Sequence, residues 1–492
     1  MKPFSILLML LLSLAFSSCN KPETYITVEV SGQPELTALI YTVPISGATY
    51  SGFTDTLRRN EAGVFELKLK ISQPSFVTIW DKDHSNRVKL LVEQGNNYHV
   101  SMGAEKNVQI TGVNEKGQML YTTLPDPSYI EMELRNWLRD TTMTLTSVQH
   151  QISELKQSDL LQFKELLDNK EITKSYFNLI QKDRDCYYAS LEARFSIIKS
   201  YRMEIEPGDS ILVSLKRIYD QYPPDDERLL FSSFWPEYAE RFVLEYKQFI
   251  QGDVDIQKFR ELRNNGTFNT YMINESKKYL DGKALEFFQA KYIYNECFQG
   301  SHKGSFDKEF IPLFEQFEND YPQSEYSKYI KPYIEKIITY HQIIENPYDP
   351  SIVFLDNYET LNTLEEVIKP LQGKKIYIDV WATWCGPCKV EFAHNEALKK
   401  ILAENDIQLL YISIDRDDYD QQWKNEIKYQ HLTDMHIRVN KALYDDLMKR
   451  FDKNAKEPYI AIPWYILVDE KGNIIEEHAK SPSQLVAGEK LF

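Results

Sequence analysis

Cys385 and Cys388 carry the clearest chemistry in this 492-residue chain, because of what separates them: Trp384-Cys385-Gly386-Pro387-Cys388. Two thiols at that spacing can close a disulfide within one helical turn, and the ring can open without moving the rest of the fold. Upstream, Lys375-Ile376-Tyr377-Ile378-Asp379-Val380 reads as a buried strand that delivers Cys385 to a helix N-terminus. There, unpaired backbone N–H groups and the helix dipole favour a thiolate over a thiol. Pro387 suits the first helical turn, where a missing N–H costs nothing. The thiolate is the species that attacks disulfides, so Cys385 is the expected nucleophile and Cys388 the thiol that resolves the mixed disulfide.

Other uses of a Cys-x-x-Cys pair fit less well. A zinc site needs a second Cys or His pair at ligand spacing, and Cys186, Cys297 and His394 do not supply one. A c-type haem needs His directly after the second cysteine, where Lys389 stands. The acidic run Asp415-Arg416-Asp417-Asp418-Tyr419-Asp420, with Glu426 beyond it, has a calcium-loop look. It lacks the glycine of the sharp turn, where Asp420 stands, and puts Tyr419 at an oxygen-ligand position. Acidic residues opening a helix after the strand Leu409–Ile414 account for it. No metal and no cofactor is implied.

With Ile378-Asp379-Val380-Trp381-Ala382-Thr383 leading into the cysteines, the stretch resembles a thioredoxin active site. The segment from about 350 to 492 resembles the TlpA/ResA type of membrane-associated thioredoxin-like proteins. That resemblance implies roles for further residues. Asp379, six before Cys385, matches the buried carboxylate that accepts the proton of the resolving thiol, and burial would raise its pKa toward neutrality. Ile462-Pro463, ahead of Trp464–Asp469, matches the loop whose proline is cis, beside which an extended substrate can pair with the backbone. Substrate would then meet Trp384, Ile462, Pro463 and Trp464, the last bulky enough to narrow access. Asp469-Glu470-Lys471-Gly472-Asn473 reads as a hairpin turn. One departure is Glu391-Phe392-Ala393, where the family usually carries a helix-kinking proline.

The rest of the chain must position or address this site. Met1-Lys2, the apolar run Ile6–Phe16 and Phe16-Ser17-Ser18-Cys19 read as a lipoprotein signal peptide (1–18) with Cys19 lipidated; an ordinary signal peptide with a chance cysteine is the alternative. The apolar run is too short to span a membrane. Lipidation would leave five cysteines as one redox pair plus Cys186 and Cys297. Residues 19–118 carry short alternating runs, Tyr25–Val30, Leu36–Thr42, Val64–Leu69, Phe76–Trp80 and Val88–Val92, broken at Gly32, Gly52, Gly63, Pro74 and Gly95-Asn96-Asn97. An antiparallel β-sandwich, or a small barrel, is expected there.

From 119 to 345 the period is helical, as in Phe177, Ile180, Tyr188, Leu191, Phe195 and Ile198. Phe287, Ala290, Ile293 and Cys297 repeat the pattern, making Cys297 a core thiol, while a Cys186–Cys297 disulfide stays open. Tyr219–Pro223 and Phe317–Pro322 share a helix, Tyr-Pro turn, helix pattern that suits stacked hairpins. Glu345-Asn346-Pro347-Tyr348-Asp349-Pro350 reads as a short linker into a thioredoxin-like α/β domain, 346–492, with the helical region expected to flank the dithiol.

Function follows as an expectation. A net charge of −16 argues against nucleic acid and against an electrostatic grip on anionic lipid. The chain reads as a thiol-disulfide oxidoreductase, lipid-anchored on the periplasmic side of a Gram-negative envelope. Its substrates would be protein disulfides, and a membrane electron donor would re-reduce it. Gly-Pro between the cysteines resembles reducing thioredoxins rather than oxidases, which usually carry histidine there. Potentials of about −270 mV and about −120 mV for the two types differ by roughly 7 kcal/mol. A reductase or isomerase is therefore expected. The competing expectation is a partner-binding lipoprotein in which the thioredoxin-like domain is a scaffold. A thiol peroxidase would need a lone peroxidatic cysteine with threonine and arginine partners, and none is evident.

Overall fold

The computed structural model describes residues 23–103, 108–124, 130–140, 143–201, 210–252, 254–452 and 457–491, so Cys19 and the apolar run before it lie outside the described residues. The chain divides into two compact units, residues 1–291 and 292–492. No described helix is long and apolar enough to cross a membrane.

The first unit opens with eight strands: β1 (Thr24–Val30), β2 (Ala38–Thr42), β3 (Thr54–Arg58), β4 (Phe65–Leu69), β5 (Ser75–Trp80), β6 (Arg87–Val92), β7 (Asn97–Met102) and β8 (Val108–Gly112). They form two four-stranded sheets, β4-β1-β7-β8 and β3-β2-β5-β6. The period-two alternation of β4 buries Phe65, Leu67 and Leu69, and these join Val28, Val77, Val88 and Val100 in one apolar cluster drawn from both sheets. The expected all-antiparallel arrangement is corrected at one place. β1 and β7 pair in parallel, Tyr25 with Asn97 through Val30 with Met102, a pairing that requires a long crossover connection. On β5 and β6 the opposite face is buried too, since Phe76 and Leu91 pack with Tyr121, Tyr176 and Phe231 of the helical stretch.

That stretch includes the 27-residue helix Lys174–Ser200, which buries Ile180, Tyr188, Leu191 and Phe195 as its period requires. Cys186 lies in this helix, buried and unpaired, and Cys297 is buried and unpaired in the second unit. Burial pushes both thiols far up from the usual cysteine range, so neither is a ready nucleophile.

The second unit begins inside the helix Gly282–Lys303, so the last helices of the helical stretch belong to the same unit as the C-terminal sheet. Its strands are β9 (Ile352–Phe354), β10 (Lys375–Trp381), β11 (Ile407–Ser413), β12 (Asp434–Arg438), β13 (Trp464–Val468) and β14 (Ile474–Glu476). Their order is β14-β13-β10-β11-β12-β9, with β10, β11, β12 and β9 parallel and β13 and β14 antiparallel to their neighbours. β10 is buried along nearly its whole length, as a central strand covered on both faces must be. Register puts Val380 opposite Trp464, Trp381 opposite Ser413 and Ser413 opposite Arg438. The chain leaving β10, β11 and β12 and the chain entering β13 therefore emerge at one end of the sheet.

The helix Ser327–Glu345 packs on the helix Asp420–Tyr429. Phe306, Tyr340 and Tyr429 meet there with ring centroids 4.4 to 5.1 Å apart. Lys428 Nζ donates to the carbonyls of Ile344 at 2.8 Å and Asn346 at 2.6 Å, which fixes the start of the linker.

Candidate active site

Cys385 caps the helix Gly386–Phe392, and the backbone N–H of Cys388 donates to its Sγ at 3.1 Å. The two cysteines are joined as a disulfide with Cα atoms 5.3 Å apart. Cys388 is fully buried, Cys385 retains 4% of its surface, and Gly386 and Pro387 are exposed between them. An N–H aimed at the first sulfur stabilises it as an anion, and only that sulfur faces outward. After reduction, alkylation near pH 6 is expected to label Cys385 before Cys388. Peptide mapping showing Cys388 modified first would reverse the two roles.

The loop into the helix is held by a carboxylate that the sequence reading had assigned only to a helix start. Asp415 is buried and accepts from Thr383 N at 2.9 Å, Thr383 Oγ1 at 2.8 Å and Ser413 Oγ at 2.8 Å. It ties the exit of β10 to the exit of β11. Burial pushes its carboxyl up, against the pull of those donors. The remaining acids of the run are spoken for: Asp417 and Asp420 pair with Arg438, and Asp418 with Arg416. Among the described residues no group of three or more His, Cys, Asp or Glu is placed to hold a metal ion.

Asp379 lies in the middle of β10, fully buried, between Tyr411 of β11 and Tyr465 of β13 in register. Neither of its carboxylate oxygens has a hydrogen-bond partner among the described residues, and the Tyr411 and Tyr465 hydroxyls are likewise unpartnered. Burial, and secondarily the nearby charge of Glu391, push its pKa from 3.8 to about 8. A carboxyl poised there can hold or release a proton near neutral pH.

Glu391, noted in the sequence only where a proline is missing, carries a role there that its spacing of three from Cys388 suggests, since both lie on one helix face. Its carboxylate accepts from Ser483 N at 2.8 Å and Ser483 Oγ at 2.9 Å, anchoring the dithiol helix to the helix Pro482–Val486. The dithiol helix is interrupted without a proline. It ends at Phe392, and a new helix begins at Asn395 after Ala393 and His394 bond three residues back.

Ile462-Pro463 is cis, with Ala461 exposed and Ile462 and Pro463 half-buried. Trp384 is 58% exposed beside Cys385. Trp464 departs from the expected groove position. It is 2% exposed, its Nε1 donates to Glu477 O, and its ring packs on Phe451 and His478, so it belongs to the core and does not narrow access. Lys389, next to Cys388, turns away to Glu426, which is fully buried, at 3.0 Å. Gly304, with φ +70°, lies against that ammonium and near the Thr383 carbonyl, and a Cβ there would strike Lys389. A turn of the helical stretch thus flanks the dithiol helix.

Residues 350–487 match the redoxin family. The thiol-disulfide oxidoreductase ResA of Bacillus thuringiensis subsp. konkukian is 26% identical over 110 residues, which is 22% of this chain and 57% of that protein. The thioredoxin-like protein YneN of Bacillus subtilis is 26% identical over 133 residues, 27% of this chain and 72% of YneN. A solution structure from Bacteroides vulgatus, described as that of a candidate thiol-disulfide oxidoreductase, is 31% identical. The likeness covers 25% of this chain and 75% of that one with a TM-score of 0.21. The chain thus spans about 57% of the length of the ResA relative, and the likeness falls in the second unit.

Proposed function

We propose, for a chain whose residues 350–487 form a redoxin domain, that it exchanges thiols and disulfides on protein substrates as a reductase or isomerase. The observation that carries this is the capped, outward Cys385 closed onto a buried Cys388, with an unpartnered carboxyl on the strand leading into them. In the reduced state the Cys385 thiolate attacks one sulfur of a substrate disulfide, and the other sulfur leaves as a thiolate that takes up a proton. Cys388 then gives its proton to Asp379 in its ionised form and attacks Cys385 Sγ, expelling the second substrate sulfur as a thiolate that takes up that proton. The products are the Cys385–Cys388 disulfide and a substrate dithiol, two electrons having passed to the substrate. Pro463 and the backbone of Ala461 and Ile462 would hold the substrate strand beside the dithiol.

Anchoring through a lipid on Cys19, on the periplasmic side of a Gram-negative envelope, is part of the same proposal and rests on the apolar run Ile6–Phe16 before it. In an oxidising compartment the pair stays closed unless a thiol electron donor in the membrane reopens it. The two β-sheets ahead of the helices, antiparallel except for the β1–β7 pair, would space or dock the catalytic part. The competing reading, a partner-binding lipoprotein with a scaffold domain, draws support from a first unit of 291 residues with apolar clusters of its own.

A Cys388→Ser variant separates the two. It is expected to accumulate mixed disulfides with substrate proteins through Cys385, visible as adducts that dithiothreitol dissolves. Absence of such adducts, with no reduction of insulin by the wild-type chain, would leave the binding reading standing.

A further inference from the structure

We propose that the cavity beside Trp384 is a side-chain pocket, and that it selects substrates carrying a bulky uncharged residue near the reactive cysteine. This rests on the thiol-disulfide reading above and adds to it a class of substrate. The cavity measures about 540 Å³, within the range of built ligand sites. Its lining includes Trp384, Tyr419 and Tyr444, the exposed Arg416, and Ile414 and Val439, whose burial makes them its floor.

Position is the first argument. Trp384 directly precedes Cys385, while Ile414 and Val439 directly follow β11 and β12. The strand order β13-β10-β11-β12 therefore places Cys385 between two features at one end of the sheet. The cis Pro463 loop leads into β13 on one side, and the cavity lies over the ends of β11 and β12 on the other. A peptide joined through sulfur to Cys385 has the backbone-pairing loop to one side and this cavity to the other.

Chemistry narrows the occupant. The charged groups around the cavity are already matched: Arg416 with Asp418, Asp417 with Arg438, Lys441 with Asp445, and Asp415 with Thr383 and Ser413. Among the described lining residues each charged group thus has a partner already, and none is free to select an ion. Trp384 Nε1 and the hydroxyls of Tyr419 and Tyr444 make no side-chain hydrogen bond among the described residues, so apolar walls carry polar handles suited to backbone amides. Tryptophan, tyrosine and arginine around an apolar floor is the composition of protein-binding hot spots. An indole left 58% exposed forgoes burial that such a partner restores. The floor is preformed, because Ile414 N donates to Trp381 O and Val439 N to Ser413 O, each at 2.9 Å.

The test uses the pre-reduced full-length protein as the two-electron donor, in excess over disulfide-linked peptides. In one series a single Trp is moved from one to four residues on either side of the cysteine, against an all-Ser parent. At the best position the Trp peptide is expected to be reduced at least about tenfold faster than the parent. That ratio is expected to fall toward one in Tyr419→Ala and Tyr444→Ala and to persist in Tyr444→Phe, which keeps the ring. Unfolding temperatures confirm that the variants are folded. Equal rates across the series, or a preference that survives both alanine variants, would overturn the pocket while leaving the thiol-disulfide reading intact. Reduction of no peptide at all would sink both.

Discussion

Replacing Cys385 with serine is expected to lower disulfide reduction at least about 10³-fold, close to the uncatalysed rate. Three features of the site combine in that expectation. A serine hydroxyl is not ionised near neutral pH, so the N–H of Cys388, which now donates to sulfur, has no anion to stabilise. Cys388 is fully buried and cannot take over the first attack. Cys186 and Cys297 are buried with thiols pushed far up, so they supply no substitute. Insulin reduction measured with stoichiometric reduced protein reads the loss directly. Retention of most of the rate would mean that the attacking thiol lies elsewhere.

Asp379→Asn is expected to stabilise the fold by on the order of 4 kcal/mol at pH 7, or on the order of 10 °C in unfolding temperature. In the unfolded chain this carboxyl ionises near its ordinary 3.8, whereas in the fold it stays protonated to about 8. Between those values unfolding releases a proton, so stability falls as pH rises from about 4 to 8 and the loss is complete above the folded value. Asparagine has no charged form and removes that slope. The gap between variant and wild type should therefore be close to zero at pH 4 and widen up to pH 8. Parallel stability profiles would show that Asp379 does not hold its proton to about pH 8 in the fold. The same substitution removes the proton acceptor, so release of substrate from the mixed disulfide is expected to slow while the first attack is nearly unchanged.

How much of this was legible in the sequence depends on distance along the chain. Cys385, Cys388 and Asp379 lie within ten residues, and local spacing places them on one strand and the start of the helix after it. What surrounds Asp379 is set by register with Tyr411 and Tyr465, 32 and 86 residues away, and no local pattern announces that. Asp415 was read as a helix-opening acid because its donors, Thr383 and Ser413, come from the ends of two different strands. Trp464 looked like a groove wall from its place after Pro463, but as the first residue of β13 its ring falls into the core against Phe451. In the first unit β7 was lost to its own turn signal. Asn97-Tyr98-His99-Val100-Ser101-Met102 alternates cleanly, burying Tyr98, Val100 and Met102, but Gly95-Asn96-Asn97 reads as a break. β3, Thr54-Asp55-Thr56-Leu57-Arg58, buries only Leu57 and carries too little apolar pattern to be seen.

The ring contacts of Phe306 and Tyr340 with Tyr429, and the two carbonyls that accept from Lys428, bear on portability. Residues 350–487 delimit what is inherited as a family, but not what can be cut out and carried to another chain. A fragment beginning at 350 would strip Tyr429 of both aromatic neighbours and leave the Lys428 ammonium without either acceptor. A segment that keeps these contacts starts upstream of Phe306 and carries the helix Ser327–Glu345 with it as a collar.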